Sequence, residues 1–304
     1  MQLSPQMFEP LQHDGTAAEE LGRPALGYWQ DVWHRLKQNK LAMAGLITIF
    51  LLAVMATIGP YLSGYSYDAQ DLTRVNQAPN AAHWFGTDSL GRDLFTRVWY
   101  GARISLGIGI MTSVICLVVG VIYGGISGYL GGRVDEVMMR IVEILYSIPF
   151  LLYVILLMVY MGPGLGSIFT ALGLVYWLNL ARIVRGQVLV LKEQEYVLAA
   201  RLLGASTMRI LLRHLIPNTM GPIIVTMTLL IPEAIFTEAF LSFLGLGVSA
   251  PAASWGVLAS DGLQGLRSYP WQLLFPAVFI SITMLAFNFV GDGLRDALDP
   301  RMRK

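Results

Sequence analysis

Three acids lie inside the apolar stretches of this 304-residue chain: Glu143, Glu233 and Glu238. An ionisable group in hydrocarbon is costly and is a functional suspect by default. Glu143 follows Arg140 by three residues, so an i,i+3 pair is its plain explanation. Glu238 is expected near an interface. Glu233 follows Pro232 midway through its apolar run. A carboxylate there suits a cationic group on cargo in a water-filled path, and equally a cation on a neighbouring subunit. Other chemistry is poorly represented. His13, His34, His83 and His214 are scattered, and no HExxH or CxxC spacing offers a metal site. Cys116 is the lone cysteine, set in an apolar run, so no disulfide framework exists. None of the four lysines, Lys37, Lys40, Lys192 and Lys304, follows a glycine, so no phosphate-cradling GxxxxGK[ST] loop is present. No local signature points to nucleophilic catalysis. The expectation is a chain without a cofactor of its own and without enzymatic activity.

The elements that must position these acids are membrane spans. Hydrophobic residues make up 55% of the chain and charged ones 13%, against about 25% charged in soluble domains. Mean hydropathy is +0.58. The net charge of +1 gives no reason to expect nucleic acid. Residues 1–26 are polar, carry three prolines and lack the apolar centre of a signal peptide; a mobile cytoplasmic segment is expected. Residues 27–40 have Trp29, Val32, Trp33 and Leu36 at helical spacing, the pattern of an amphipathic helix on a lipid surface.

About 20 apolar residues cross the hydrocarbon as a helix. That criterion predicts spans over 41–62, 104–130, 137–161 with a kink at Pro149, 167–184, 218–246 and 271–290. A polar loop covers 63–103, a second covers 247–270, and a charged tail covers 293–304. Trp99 and Tyr100 fit a membrane interface. The expected fold is an all-α membrane protein of six spans, with residues 104–292 as its core. Six spans place both termini on one side. On this reading sixteen Lys and Arg flank that side and five flank the other, of 21 in all. The richer side is cytoplasmic by the positive-inside rule, and it includes the 190–217 connection.

Residues 193–217 read EQEYVLAARLLGASTMRILLRHLIP. Good helix formers fill the stretch, Gly204 interrupts it, Ser206 and Thr207 offer a restart, and Pro217 offers a stop. Two short helices with a bend at Gly204 are expected. Tyr196, Ala199, Ala200 and Leu203 form a smooth strip. Either another protein approaches closely there, or the segment is an ordinary connector packed on its own chain.

Ala199, Ala200, Gly204 and Pro217 match the EAA loop of ATP-binding-cassette import permeases, and the segment resembles that loop. Leu198, His214 and Ile216 depart from its pattern. Further stretches are similar to C-type permeases of the peptide and nickel import family: GTDSLGRDLFTRVWYGARISL from Gly86, GYLGGRVDEVMMR from Gly128, LSFLGLG from Leu241 and NFVGDGLRDALDPRMR from Asn288. WQD at Trp29, EILYSIPF at Glu143 and LARIVRGQ at Leu180 most resemble the oligopeptide permease C subunits of Gram-negative bacteria. The resemblance implies a type I ABC importer permease fold and the import of oligopeptides, with dipeptides or nickel as alternatives. It implies a heterodimer with a B-type permease, two ATPase subunits that bind the ATP, and a periplasmic peptide-binding protein. It makes Glu195, Ala199, Ala200, Arg201, Gly204 and Ala205 an ATPase-docking coupling helix, with Glu233 a candidate on the substrate path. A readout from another class, an ion-coupled secondary transporter, calls for an inverted repeat, and none is visible.

Overall fold

Residues 27–299 are described by the computed structural model; the expectation for 1–26 and the last five residues of the tail lie outside them. Among the described residues every regular element is helical, and one isolated bridge joins Thr87 to Asp93. Helix α1, Tyr28–Gln38, buries Val32 and Leu36. These pack on Ala42, Ala297 and Leu298, while Trp29 and Trp33 remain exposed. So α1 is seated on its own protein with its tryptophans outward. The Asn39 side chain accepts from the Leu41 and Ala42 amides and thereby caps α2, Lys40–Ile58.

Helix α3, Leu94–Leu130, begins ten residues before the expected 104. Asp93 is its N-cap and accepts from the Thr96 amide at 2.8 Å. Hydropathy failed to mark this turn because Arg97 and Arg103 lie in it. Both are held by carbonyls instead: Arg97 by Tyr67 and Arg103 by Ala56 and Thr57. Trp99 is buried in the core rather than interfacial.

The third expected span is not kinked at Pro149 but broken there. Helix α4, Gly132–Ser147, and helix α5, Phe150–Met161, meet at 81°. Pro149 lacks an amide hydrogen and biases Ile148 to extended backbone, which Ile148 adopts (ψ 126°). Helices α6, Leu165–Val175, and α7, Trp177–Leu191, run on as one span.

The connection that follows holds α8, Glu195–Leu202, and α9, Thr207–Ile210. A π turn over Leu211–Leu215 then leads directly into α10, Ile216–Phe243. Pro217 therefore opens a span instead of stopping a helix. The wide turn explains this, since a proline ring clashes with the carbonyl four residues back unless the turn is loosened.

The expected loop 247–270 contains a helix, α11, Trp255–Gln264, capped by Ser254, which accepts from the Val257 amide. Helix α12, Trp271–Leu298, continues past the expected end of the core at 292. Among the described residues, five helical segments are long and apolar enough to cross a membrane, and α4 with α5 make a sixth only as a bent pair.

Two seams of small residues hold the spans together. Gly120, Gly124 and Gly128 of α3 lie against Leu180, Ala181 and Arg185 of α7. A Cβ on Gly124 would strike the Ala181 carbonyl, and one on Gly128 would come within 2.8 Å of the Arg185 carbonyl. Gly45 of α2 meets the Ala286 carbonyl of α12, and Gly293 of α12 meets Ala42 in return. Lipid is as apolar as leucine, so close packing, not burial from water, must supply this association.

At one end of the first seam Asp135 of α4 accepts from both Nε and Nη2 of Arg185, at 2.5 Å each, and from the Ser127 hydroxyl. Lys192 adds a bond to the Gly128 carbonyl. These contacts fasten the α3–α4 corner to the end of α7 from which the connection 192–215 departs.

Gly124→Val is expected to cost about 1–3 kcal/mol by overpacking, read as a lower Tm in detergent; an unchanged Tm would remove the seam's role. In a double-mutant cycle, Asp135→Ala and Arg185→Ala should show a coupling of about 1–2 kcal/mol. Additive effects would mean that the bidentate pair does not tie α4 to α7.

Candidate functional site

Val197 is the one fully buried side chain of α8. It plugs into a floor made by Val188 of α7, Ile210, Leu211, Leu215 and Ile223. That anchor decides which side of α8 faces away. The helix ends in a Schellman motif: the Ala205 amide donates to the Ala200 carbonyl and the Gly204 amide to the Arg201 carbonyl, both at 3.0 Å. Gly204 takes φ +81°, a left-handed conformation that suits glycine. Open space lies where its Cβ would be.

Glu195, Ala199, Arg201 and Gly204 are exposed, and Ala200 and Ala205 are half-buried. Ala205 leans into the Val197 cluster, and Arg201 places its guanidinium over the Tyr129 ring at the foot of α3. The six therefore divide. Four face outward, Ala205 joins the segment to its floor, and Arg201 also touches the span below. The strip expected from the sequence includes Leu203 but omits Leu202, Met208 and Leu212. Leu202 and Leu203 are 89% and 88% exposed, and Met208 and Leu212 in the turns that follow are 63% and 59% exposed. Contiguous exposed apolar residues mark an interaction surface. The available signal was Leu-Leu at a helix end, out of phase with Val197.

A second feature lies along the span axis. The α4–α5 break, the α6–α7 junction and α10 enclose an open cavity of about 550 Å³. Glu233, Asn179, Tyr176 and Thr237 supply its polar wall, with Tyr146 and Phe150 opposite among the apolar ones. The Tyr176 and Thr237 hydroxyls share a hydrogen bond. Glu233 is exposed, and its carboxylate has no hydrogen-bond or ion-pair partner among the described residues. Irregular backbone at membrane depth is tolerated only where protein covers it or water fills a cavity. Two carbonyls near the break are met by side chains, Ile144 by Ser147 and Leu145 by Tyr153.

The other acids have plain roles. Glu143 pairs with Arg140 at 3.0 Å on an exposed face, as expected. Glu238 is not interfacial but fully buried, where one oxygen accepts from Ser242 at 2.6 Å and Ser254 at 2.5 Å. It ties α10 to the start of α11. Ser254 is distant in sequence, so nothing local announced the contact. Among the described residues no group of three His, Cys, Asp or Glu is placed to hold a metal ion.

The end of the bundle remote from α8 carries a compact polar cluster. Asp88 accepts from Arg92 at 2.7 Å and lies 3.4 Å from Arg97. His83 meets Asp93 at 2.8 Å. Gln272 bonds Asn76 and the Thr87 carbonyl, which fixes the 63–93 loop on α12. Burial pushes the Asp261 carboxyl up, and Arg97 and Arg92 pull it back.

Residues 117–304 match the family described as the inner membrane component of binding-protein-dependent transport systems. Residues 27–79 match the N-terminal transmembrane domain of oligopeptide transport permease C. The chain is 59% identical over its full length to the dipeptide transport system permease protein DppC of Bacillus subtilis, covering 95% of that protein. It is 57% identical over 98% of both chains to the oligopeptide transport system permease protein OppC of the same organism. It is 48% identical to OppC of Escherichia coli, over 100% of both. A chain of the MetNI methionine ABC transporter in an inward-facing conformation superposes with a TM-score of 0.53, at 18% identity, over 68% of this chain and 96% of that one. The chain belongs to the family of inner membrane components of binding-protein-dependent transport systems, and its fold is that of a type I ABC importer permease.

Proposed function

We propose that this chain is the C-type permease half of an importer that moves oligopeptides across the bacterial cytoplasmic (inner) membrane. It pairs with a B-type permease, receives cargo from a periplasmic or otherwise extracytoplasmic peptide-binding protein, and is driven by two ATPase subunits. ATP is bound and hydrolysed on those subunits. The relatives named for oligopeptide and dipeptide transport and the match to oligopeptide permease C support a peptide cargo. The 59% identity to a dipeptide-named protein favours dipeptides as the second reading.

The observation that carries the proposal is the pair Leu202 and Leu203, almost fully exposed on a helix whose other side is pinned by Val197. Burial of one such side chain against a partner contributes about 1.5–3 kcal/mol. Glu195, Ala199, Ala200, Gly204 and Ala205 shape the surface that the ATPase meets, and Arg201 couples it to α3 through Tyr129. The Lys and Arg excess supports a cytoplasmic position for this end, where ATP is, and for both termini.

The mechanism follows from two states of differing partner affinity. ATP closes the ATPase pair and moves the docked α8. Val197 and the floor beneath it pass that displacement to α7 and α10, which share the cluster. The α3–α7 seam carries α3 along with α7. The cavity beside the α4–α5 break then opens alternately to the two sides of the membrane, and Glu233 lies on the wall of the path.

Gly204→Asp projects a charged group into the open space that the docking partner fills. It should leave membrane insertion and pairing with the B-type permease intact while abolishing ATPase co-purification and peptide uptake. Full assembly with normal uptake would sink the docking role.

A further inference from the structure

The cavity beside the helix break has a carboxylate in its wall and a guanidinium stacked on one of its lining rings, and no neighbour neutralises either. Glu233 of α10 is one. The other is Arg182 of α7, one helical turn past the cavity-lining Asn179. Its guanidinium lies 4.5 Å from the Tyr146 ring, and Tyr146 itself lines the cavity. Nearby cations on the same elements are already engaged: Arg185 with Asp135 and Arg140 with Glu143. Arg182 has no carboxylate within ion-pair distance among the described residues, and it does not pair with Glu233. The other polar groups of the cavity wall are uncharged, Asn179 and the Tyr176–Thr237 pair among them, and aromatic rings lie beside them.

We propose that this cavity is a cargo-recognition site for zwitterionic peptides with free termini. Glu233 takes the α-ammonium group. Asn179 and the Tyr176 and Thr237 hydroxyls bond the peptide's amide groups without reading its side chains. Arg182, held by Tyr146 in a cation–π contact, takes the terminal carboxylate. The inference rests on the peptide-import reading and adds a selectivity of the permease itself to it. The arrangement suits transit. Glu233 is exposed and Arg182 partly so, so each contact is weak and screened, and cargo is oriented without being trapped. It does not suit a bare divalent cation, since one carboxylate with no histidine or second acid beside it is a poor ligand set.

The test uses the whole transporter in proteoliposomes, with trialanine, N-acetyl-trialanine and trialanine amide as probes. Each is supplied at a concentration that saturates the binding protein, whose affinity for each probe is measured separately. Glu233→Gln should lower uptake of trialanine and its amide about fivefold and leave the N-acetyl form unchanged. Arg182→Gln should lower uptake of trialanine and the N-acetyl form and leave the amide unchanged; the size follows from the modest worth of exposed ion pairs. Equal losses on all three probes, or no loss in either variant, overturn the assignment while the peptide reading stands. If Glu233→Gln instead separates this chain from its partner permease on size-exclusion chromatography, the carboxylate serves an intersubunit pair and the proposal fails. A wild-type transporter that moves none of the three probes overturns the peptide reading itself and this site with it.

Discussion

The close approach of α3 and α7 along Gly120, Gly124 and Gly128 is the contact on which the other features depend. Side chains larger than hydrogen at those points would push against the Leu180 side chain and the carbonyls of Ala181 and Arg185. In lipid no hydrophobic drive remains to pull the helices together, so contact distance sets the strength of the seam. The seam in turn places Arg185 and Lys192 at the α3–α4 corner, where Asp135 and the Gly128 carbonyl receive them. From that fixed corner the chain leaves α7 and forms the exposed segment around Gly204. A looser seam would let the segment move without moving the spans, and force applied to it would be lost.

The exposed segment and the broken span answer opposite demands. Around Gly204 the backbone is satisfied internally by the Schellman bonds, so the surface can offer apolar side chains to a partner without unpaired amides. At Ile148–Pro149 the helical ladder is interrupted instead. Backbone polarity there is compatible with a membrane only beside water or protein, and the adjoining cavity with Glu233 and Asn179 provides such a place. One chain thus keeps a rigid, fully bonded handle at its end and an irregular, polar wall along its length. The MetNI likeness extends over 68% of the chain.

Much of this was legible in the sequence. The spans, the bend at Gly204 and the Arg140–Glu143 pair follow from local rules of apolarity, glycine placement and spacing. What was not legible arises where tertiary structure overrides those rules. Helix α3 starts at Leu94 because a helix propagates past the bilayer edge when Arg97 and Arg103 find carbonyls. Pro217 reads as a stop until the π turn before it is known. Helix α11 sits in a stretch rich in Gly, Pro and Ala, and only Ser254 before Trp255 hinted at it. Glu238 and the outward Leu202 depend on partners, or on an anchor such as Val197, that no window of sequence reveals.

On the proposed function, the Leu202–Leu203 surface faces the cell interior and is covered by an ATPase. Thiol labelling tests it most directly, in a Cys116→Ser background carrying Leu203→Cys, with a membrane-impermeant maleimide. Labelling is predicted in inside-out vesicles stripped of ATPase subunits, with protection once those subunits are added back. Labelling of intact cells from outside, or equal labelling with and without the ATPase, would contradict it.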